Sequence, residues 1–290
     1  MPELPDLSVY RDALDVRLRG QALLTTHIRN PFVLRTADPP LAAADGRLVV
    51  GVHRQGKRIV LALSNELFLV LHLMIAGRLK WLPEGGKTPA RITLALFEFS
   101  SGTLALTEAG TKRRASLHLV QGAQALAALD SGGLEIEHAD AIAFAARLRA
   151  QNHTLKRALT DPKILSGIGN AYSDEILHRA RLSPIAHTGK LDDAAMAKLL
   201  AAAQDVLREW TERLRAQAGE RFPEKVTAFR PEMAVHGKFR QPCPVCGTPV
   251  QRIVYAENEC NYCPRCQTNG IVLADRALSR LLHKSFPREI

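Results

Sequence analysis

Residues 163–182 read KILSGIGNAYSDEILHRARL, in which two helical patterns flank a short turn that carries Gly167 and Gly169. Asn170 opens the second helical pattern, and a helix that starts after a glycine turn leaves backbone N–H groups unpaired at its N-terminus. Such a terminus favours a phosphate group, and Lys156 and Arg157, one predicted helix earlier, can add positive charge. The commoner role of a glycine-capped helical hairpin is packing alone, and these residues leave both readings open.

Helical patterns continue on both sides of this turn and define a helical middle region. AIAFAARLRA and HTLKRALTD precede it, and DDAAMAKLLAAAQDVLREWTERLRA follows it. Between about 23 and 120 the pattern changes to short apolar alternations such as RLVVGV, RIVLAL and RITLALFEF, which predict six to eight strands in an antiparallel sandwich or barrel. We also predict a helix over about 6–19, a linker over 121–140 and a loop over 217–242.

The charge balance indicates a polyanionic partner. The chain has 290 residues with 39 Lys and Arg against 29 Asp and Glu, a net charge of +10. Nucleic acid is the first candidate and an acidic membrane surface the second, while a merely soluble basic protein is the alternative. No apolar run reaches the roughly 18 residues of a membrane span, and the N-terminus lacks the pattern of a signal peptide.

All five cysteines fall between positions 243 and 266, in two C-P-x-C pairs plus Cys260. Clustered cysteines indicate a metal site in a reducing compartment rather than a disulfide framework. Four thiolates from two such turns suit a closed, structural Zn²⁺ site of the zinc-ribbon type. Cys260 could also pair with Cys263, but the proline within the second pair favours the set Cys243, Cys246, Cys263 and Cys266.

The chain begins MPELPD, and removal of Met1 would turn Pro2 into a free secondary amine. An unprotonated amine is a nucleophile suited to covalent catalysis, and α-amino groups have pKa values of about 7.7–8.0. The alternative is an ordinary loose terminus.

Together, P-E-L-P at the start, a strand-rich first half, GIGNAYSDEIL in a helical middle and a final four-cysteine ribbon resemble the formamidopyrimidine-DNA glycosylase/endonuclease VIII family. The resemblance covers about residues 1–270. It implies an α+β, multi-domain fold with an N-terminal helix and antiparallel β-sandwich, a helix–two-turns–helix domain and a zinc ribbon. The implied domains are a catalytic sandwich (1–125), a helical DNA-binding domain (135–225), a zinc-finger hairpin (235–270) and a tail (271–290).

The resemblance also implies the chemistry of base-excision repair on damaged duplex DNA. Pro2 would attack the sugar of the damaged nucleotide, and cleavage by β- and δ-elimination would follow. Glu3 would act as general acid and base, or merely as a helix N-terminal carboxylate, and Lys57 would contact phosphates beside the lesion. Asp6 stands where the family has glutamate, which shortens a supporting carboxylate. Further phosphate contacts are implied for His72, Asn170 and Lys156.

Departures from the family pattern affect lesion choice. Ile75 aligns with the intercalating methionine of the family and Met74 with the preceding glycine, so either side chain is a candidate wedge. Arg113 and Arg114 remain where the family probes the partner base, but the neighbouring phenylalanine is missing. Asn258 replaces a phosphate-binding arginine, and Arg252 and Arg265 are candidates to supply the lost charge. GERFPEKVTAFRPEM replaces the loop that closes over oxidised guanine.

We therefore expect a bifunctional DNA glycosylase and lyase that acts on oxidised or ring-opened bases in duplex DNA. It would hold one structural Zn²⁺ and act as a cytoplasmic, nucleoid-associated monomer with DNA between its two halves. Oxidised pyrimidines or bulkier lesions are alternative substrates. Two further hypotheses are a non-catalytic protein of this fold that binds damaged DNA, and a zinc-ribbon module for RNA or a protein assembly. Retention of Pro2, Glu3 and Lys57 argues against binding alone.

Overall fold

The computed structural model describes residues 1–224, 226–255 and 258–273, and these form two compact units. The first unit comprises Met1–Ser131 together with Trp210–Thr227. The second comprises Gly132–Glu209 and the described residues from Ala228 onward. None of the described helices combines the length and the apolar character needed to cross a membrane.

The first unit begins with helix α1 (Leu4–Leu18). Glu3 and Asp6 form a capping box at its start, and the N–H of Glu3 donates to Oδ2 of Asp6 at 3.1 Å. The cap and Pro5 in the first turn explain why the helix starts earlier than the predicted residue 6. The cap thereby fixes the conformation of the first residues of the chain.

Nine strands follow α1, one more than the upper bound of the prediction, because residues 22–28 form two short strands. They form two antiparallel sheets, with orders β1-β3-β4-β5-β9 and β2-β7-β8-β6. Their bounds are β1 Ala22–Leu23, β2 Thr25–Ile28, β3 Arg47–Gln55, β4 Arg58–Leu63, β5 Leu67–His72, β6 Gly77–Leu82, β7 Thr93–Phe99, β8 Gly102–Glu108 and β9 Ser116–Gln121.

One hydrophobic core joins both sheets to α1. Tyr10 and Leu14 of α1 lie in it, with Leu61 and Leu71 from the five-stranded sheet and Phe97 from the four-stranded sheet, and each of these residues is fully buried. Burial of this apolar surface is the main force that holds α1 against the strands. The predicted N-terminal helix and antiparallel sandwich are thus confirmed.

The other face of the five-stranded sheet is partly covered by helix α2 (Ala123–Ala127), which lies in the segment predicted as a linker. Ala125 and Leu126 pack with Val60 and Val70 in a separate apolar cluster. The short helix is stabilised because its apolar side chains pack against this sheet face. A local sequence pattern does not reveal such a contact between distant segments.

Among the described residues, the second unit contains five α-helices, of which α6 is shared with the first unit, and a cysteine-rich hairpin. Helix α6 continues from it into the first unit, and α5 begins directly after the glycine turn. The predicted tail from 274 onward lies outside the described residues. The bounds are α3 Ala141–Arg149, α4 Leu155–Thr160, α5 Asn170–Ala180, α6 Asp193–Ala218, β10 Gln251–Tyr255, β11 Asn258–Tyr262 and α7 Pro264–Gln267. These elements confirm the predicted helical region and four-cysteine hairpin.

Candidate functional site

The start of the chain is buried in the first unit. Pro2 is buried, and Glu3 and Asp6 are only 2% and 3% exposed. Met1 is present and half-buried, so the nitrogen of Pro2 is part of a peptide bond here. The capping box positions both carboxylates within one helical turn of Pro2. Two acidic groups therefore accompany the proline in a site with little access to water.

The surroundings of the terminus favour a neutral amine. Burial lowers the pKa of the terminal amine of Met1 from its ordinary value of 8.0. Glu3 and Asp6 oppose that shift, while Arg78 and Lys57 add to it, because a nearby positive charge disfavours a protonated amine.

Lys57 reaches this site from the turn between β3 and β4. Gly56 adopts a left-handed conformation with φ of 58°, and Gln55 and Arg58 pair across the turn. Glycine tolerates this conformation without steric strain. The tight turn holds Lys57 half-buried, where its charge acts on the terminal amine. The structure thus brings Pro2, Glu3 and Lys57 into one electrostatic environment.

His72 ends β5, and the candidate wedge residues form the turn that follows it. Met74 is half-buried and has a left-handed backbone conformation with φ of 51°. Ile75 is 54% exposed, and the N–H of Gly77 donates to the carbonyl oxygen of Leu73 across the turn at 2.9 Å. Of the two candidates, Ile75 presents the more exposed apolar side chain.

The loop with Arg113 and Arg114 is anchored by Glu108, which sequence reasoning did not identify. Glu108 is 1% exposed, and its Oε2 accepts the backbone N–H groups of Arg114 at 2.9 Å and Ala115 at 3.0 Å. Both arginines are exposed, and Arg113 donates to the carbonyl oxygen of Arg91. A buried carboxylate therefore fixes the loop that presents the two cations.

In the second unit, Lys156 lies in a network of hydrogen bonds around the glycine turn. Its Nζ donates to the carbonyl oxygen of Asn170 at 2.7 Å, to Oγ of Ser173 at 2.8 Å and to Oδ1 of Asp174 at 2.5 Å. An ammonium group has three N–H donors, so the structure engages all of them internally. The amine holds the start of α5 in place.

Asn170 is the first residue of α5, and its Nδ2 donates to the carbonyl oxygen of Glu259 in β11 at 2.8 Å. The glycine turn and the hairpin are therefore connected through this side chain. Asn258, the adjacent residue of β11, is exposed. Asn170 and Asn258, both candidates for phosphate contacts, thus lie on connected elements of the second unit.

Two further acidic residues of α5 organise the loop before the hairpin. The carboxylate of Glu175 accepts the backbone N–H groups of Ala234, Val235 and His236. Oδ2 of Asp174 lies 2.8 Å from Nδ1 of His236. These contacts join residues about 60 positions apart in the sequence, so a local pattern gives no signal for them.

The four predicted cysteines converge at the base of the hairpin. The sulfur atoms of Cys243, Cys246, Cys263 and Cys266 all lie within 4.8 Å of one another. The Cys243–Cys266 and Cys246–Cys263 sulfur distances are 3.9 Å and 3.4 Å. A tetrahedral zinc with Zn–S bonds of about 2.3 Å needs sulfurs about 3.8 Å apart, so the cluster fits such an ion.

Cys260 takes no part in this cluster. It is fully buried and packs with Ile253 and Tyr262 of the hairpin. Burial raises the pKa of its thiol. The structure therefore places Cys260 as a neutral core residue, in agreement with the favoured set of ligands.

Three family models match the chain in succession. They describe the formamidopyrimidine-DNA glycosylase N-terminal domain (residues 1–116), the formamidopyrimidine-DNA glycosylase H2TH domain (residues 133–218) and the zinc finger found in FPG and IleRS (residues 240–269). Their order and spacing follow the two sheets, the helical region and the cysteine hairpin described above.

Similar proteins cover nearly the whole chain. The formamidopyrimidine-DNA glycosylase of Moorella thermoacetica is 32% identical over 87% of this chain and 94% of its own length. That of Thermus thermophilus is 32% identical over 93% of this chain and all of its own length. The solved complex of Lactococcus lactis Fpg with an abasic site containing DNA has a TM-score of 0.82 at 23% identity, covering 92% and 99% of the two chains. This last likeness shows the fold.

Proposed function

The chain belongs to the formamidopyrimidine-DNA glycosylase family, and on this premise we propose that it excises damaged bases from duplex DNA and cleaves the resulting abasic site. The relatives named above are DNA glycosylases, and the structural neighbour is a complex with DNA that contains an abasic site. The net charge of +10 suits a polyanionic substrate.

The observation that carries the proposal is the buried start of the chain, where Pro2 lies beside the buried carboxylate of Glu3 and where burial lowers the pKa of the Met1 amine. After removal of Met1, the nitrogen of Pro2 attacks C1′ of the damaged nucleotide and displaces the base, and the opened sugar remains bound as an iminium. The iminium acidifies the proton at C2′. Loss of that proton expels the 3′-phosphate, and a second elimination expels the 5′-phosphate. A lower amine pKa raises the fraction of nucleophile present at neutral pH.

Glu3 handles protons in this scheme. Its carboxylate is buried next to Pro2 and takes part in the capping box with Asp6. From that position it protonates the departing sugar oxygen and later accepts a proton, as a general acid and base. The fixed start of α1 supplies the rigid placement that proton transfer needs.

Phosphate contacts come from both units. In the first unit, Lys57 lies in the turn before β4, and His72 ends the neighbouring strand β5. Asn170 and Asn258 supply neutral hydrogen-bond donors from the second, and Lys156 orders the start of α5 on which Asn170 lies. Replacement of the family arginine by Asn258 removes a charge and weakens that contact.

Lesion recognition is the part of the proposal in which this chain departs from its family. A damaged base must leave the helix stack, and Ile75 is the exposed apolar side chain proposed to fill the gap, with Met74 behind it. Arg113 and Arg114 are proposed to hydrogen-bond the partner base. Without the family phenylalanine, a broader set of opposite bases is expected.

The four cysteines are proposed to hold one Zn²⁺ that stabilises the hairpin. All four ligands are protein sulfurs, so the ion would be structural and would leave no position for substrate. Its role is to keep β11, and with it Asn258, in a fixed place next to Asn170.

Borohydride trapping on duplexes that each hold one defined lesion or an abasic site tests the proposal. Wild type should form a covalent adduct, and a form with a fused N-terminal extension that blocks Pro2 should not. A chain that binds the damaged duplexes but forms no adduct on any of them would instead be a non-catalytic binding protein. The relative adduct yields across the panel define the lesion preference.

A further inference from the structure

A group of polar side chains from neighbouring strands meets on the face of the five-stranded sheet that points away from the core. Arg58 on β4 pairs directly with His72 on β5, and His118 on β9 pairs with Val70 of β5. Directly opposed residues of an antiparallel pair lie on the same face, and so do residues two apart along a strand. Arg58, His72 and His118 therefore share one face.

The part of this face beside the polar group is apolar and partly covered. Val60, Val70 and Val120 lie on it in line with the three polar residues, and Leu126 and Leu129 from the α2 segment pack against them. This cover stops short of the polar group, because Arg58, His72 and His118 each remain half-buried. The group thus lies at the uncovered end of the sheet face, next to the turn that carries Lys57.

Positively charged side chains surround the two imidazoles of the group. Burial, then Arg58, Lys57 and His118, lower the pKa of His72 to about 4. Burial, then Arg58 and Arg35, lower the pKa of His118. Burial lowers the pKa of Arg58, and the carboxylate of Asp130 raises it. Both imidazoles are therefore neutral at neutral pH, and each keeps one N–H donor.

Within the described part of the chain, two nitrogen atoms of the group lack a hydrogen-bond partner. Nε of Arg58 and Nδ1 of His118 are buried, and neither has a hydrogen-bond partner among the described residues. Buried polar atoms in folded proteins are nearly always satisfied by protein, water or ligand. A guanidinium group and two imidazoles on one face suit an oxyanion, whose oxygens accept several hydrogen bonds at once.

We propose that Arg58, His72 and His118 form a binding site for a backbone phosphate of the DNA. The inference rests on the proposed function and extends it, because Arg58 and His118 add a guanidinium and a second imidazole to the contacts implied for Lys57 and His72. Arg58 supplies the charge and the imidazoles supply directed N–H donors. The site extends the DNA contact from the Lys57 turn across β5 to the edge strand β9.

The test measures the affinity of the full-length protein for a duplex with a tetrahydrofuran abasic-site analogue, over a series of salt concentrations. The double variant Arg58→Met, His118→Asn should bind damaged and undamaged duplexes more weakly. The slope of log K against log salt should fall by about one, the loss expected for one phosphate contact. Arg19→Met removes one charge from an exposed ion pair with Asp15 in the same unit, and it should leave the slope and the affinity unchanged.

An unchanged slope in a double variant that keeps the wild-type circular dichroism and melting temperature would overturn the site. If the double variant does not fold, histidine side-chain ¹⁵N resonances of the wild type decide, since addition of the duplex should shift the signals of His118. No shift at His118 would likewise overturn the site. Covalent trapping that persists with an unchanged slope refutes this inference alone, whereas a wild type that binds no duplex refutes the proposed function together with it.

Discussion

Oδ1 of Asp174 and Nζ of Lys156 lie 2.5 Å apart, with the Asp174 side chain fully buried and that of Lys156 12% exposed. The other carboxylate oxygen lies 2.8 Å from Nδ1 of His236 and accepts the backbone N–H of Asn261 at 3.1 Å. One carboxylate thus connects α4, α5, β11 and the preceding loop. Lys156 therefore stabilises the glycine turn and the start of α5, and this fixes the position of Asn170.

Asp174→Asn should destabilise the second unit. The change leaves Lys156 without its charged partner in a buried site, and breaking a buried pair from one side costs about 3–5 kcal/mol. Urea unfolding measures the loss in the free energy of unfolding. Glu209→Gln, which breaks the exposed pair with Arg179, should change it by less than about 1 kcal/mol. Equal effects of the two changes would show that Asp174 does not hold the turn.

Glu108→Gln should loosen the loop with Arg113 and Arg114. The carboxylate accepts two backbone N–H groups in a buried position, and a hydrogen bond to a charged group contributes about 1.5–3 kcal/mol. Limited trypsin digestion should cut after Lys112, Arg113 or Arg114 faster than in wild type. Glu98→Gln, which alters an exposed pair with His27, is the control and should leave the cleavage rate as in wild type. Equal cleavage rates in all three proteins would remove Glu108 from this role.

Cys246→Ser should release the metal and weaken DNA binding while most helical circular dichroism remains. One lost thiolate opens the cluster, and the hairpin that carries Asn258 has little apolar core of its own. Metal content by atomic absorption and affinity for an abasic-site duplex measure both effects. Cys260→Ala removes the sulfur outside the cluster and should keep the metal. DNA affinity that survives loss of the metal would exclude the hairpin from the interface.

Arg78→Met should shift the pH profile of adduct formation to higher pH. The charge of Arg78 lowers the pKa of the Met1 amine. We expect it to act in the same direction on a Pro2 amine, so its removal should raise the pKa of that amine. The amine then loses its proton at a higher pH, so the midpoint of the rise in trapping rate moves to higher pH. Lys80→Met, two residues along β6, is the matched loss of one charge and should leave the pH profile unchanged. A shift to lower pH in Arg78→Met would contradict the electrostatic account of the terminus.

Much of this architecture could be predicted from local patterns. The alternation in RIVLAL and the glycine turn before Asn170 each reflect a rule that acts within a few residues. The cysteine ligands followed from their spacing, and the geometry of the cluster agrees with it. The catalytic assignments of Pro2, Glu3 and Lys57 came from family resemblance, and they stay predictions until chemistry is measured.

The remaining features depend on contacts between distant parts of the chain. Glu175 accepts hydrogen bonds from residues 234–236. Arg58 and His118 lie on the same sheet face because β4 and β9 both pair with β5. Nor does a sequence pattern tell whether a lysine points outward or inward. Lys156 was predicted to contact phosphate, and its amine is engaged within the fold.

The most direct test of the account is mass spectrometry of the borohydride-reduced adduct after protease digestion. The account predicts an N-terminal peptide that begins with Pro2, lacks Met1 and carries the reduced sugar on the proline nitrogen. An adduct on the side chain of Lys57, or a fully active protein that still carries Met1, would contradict it.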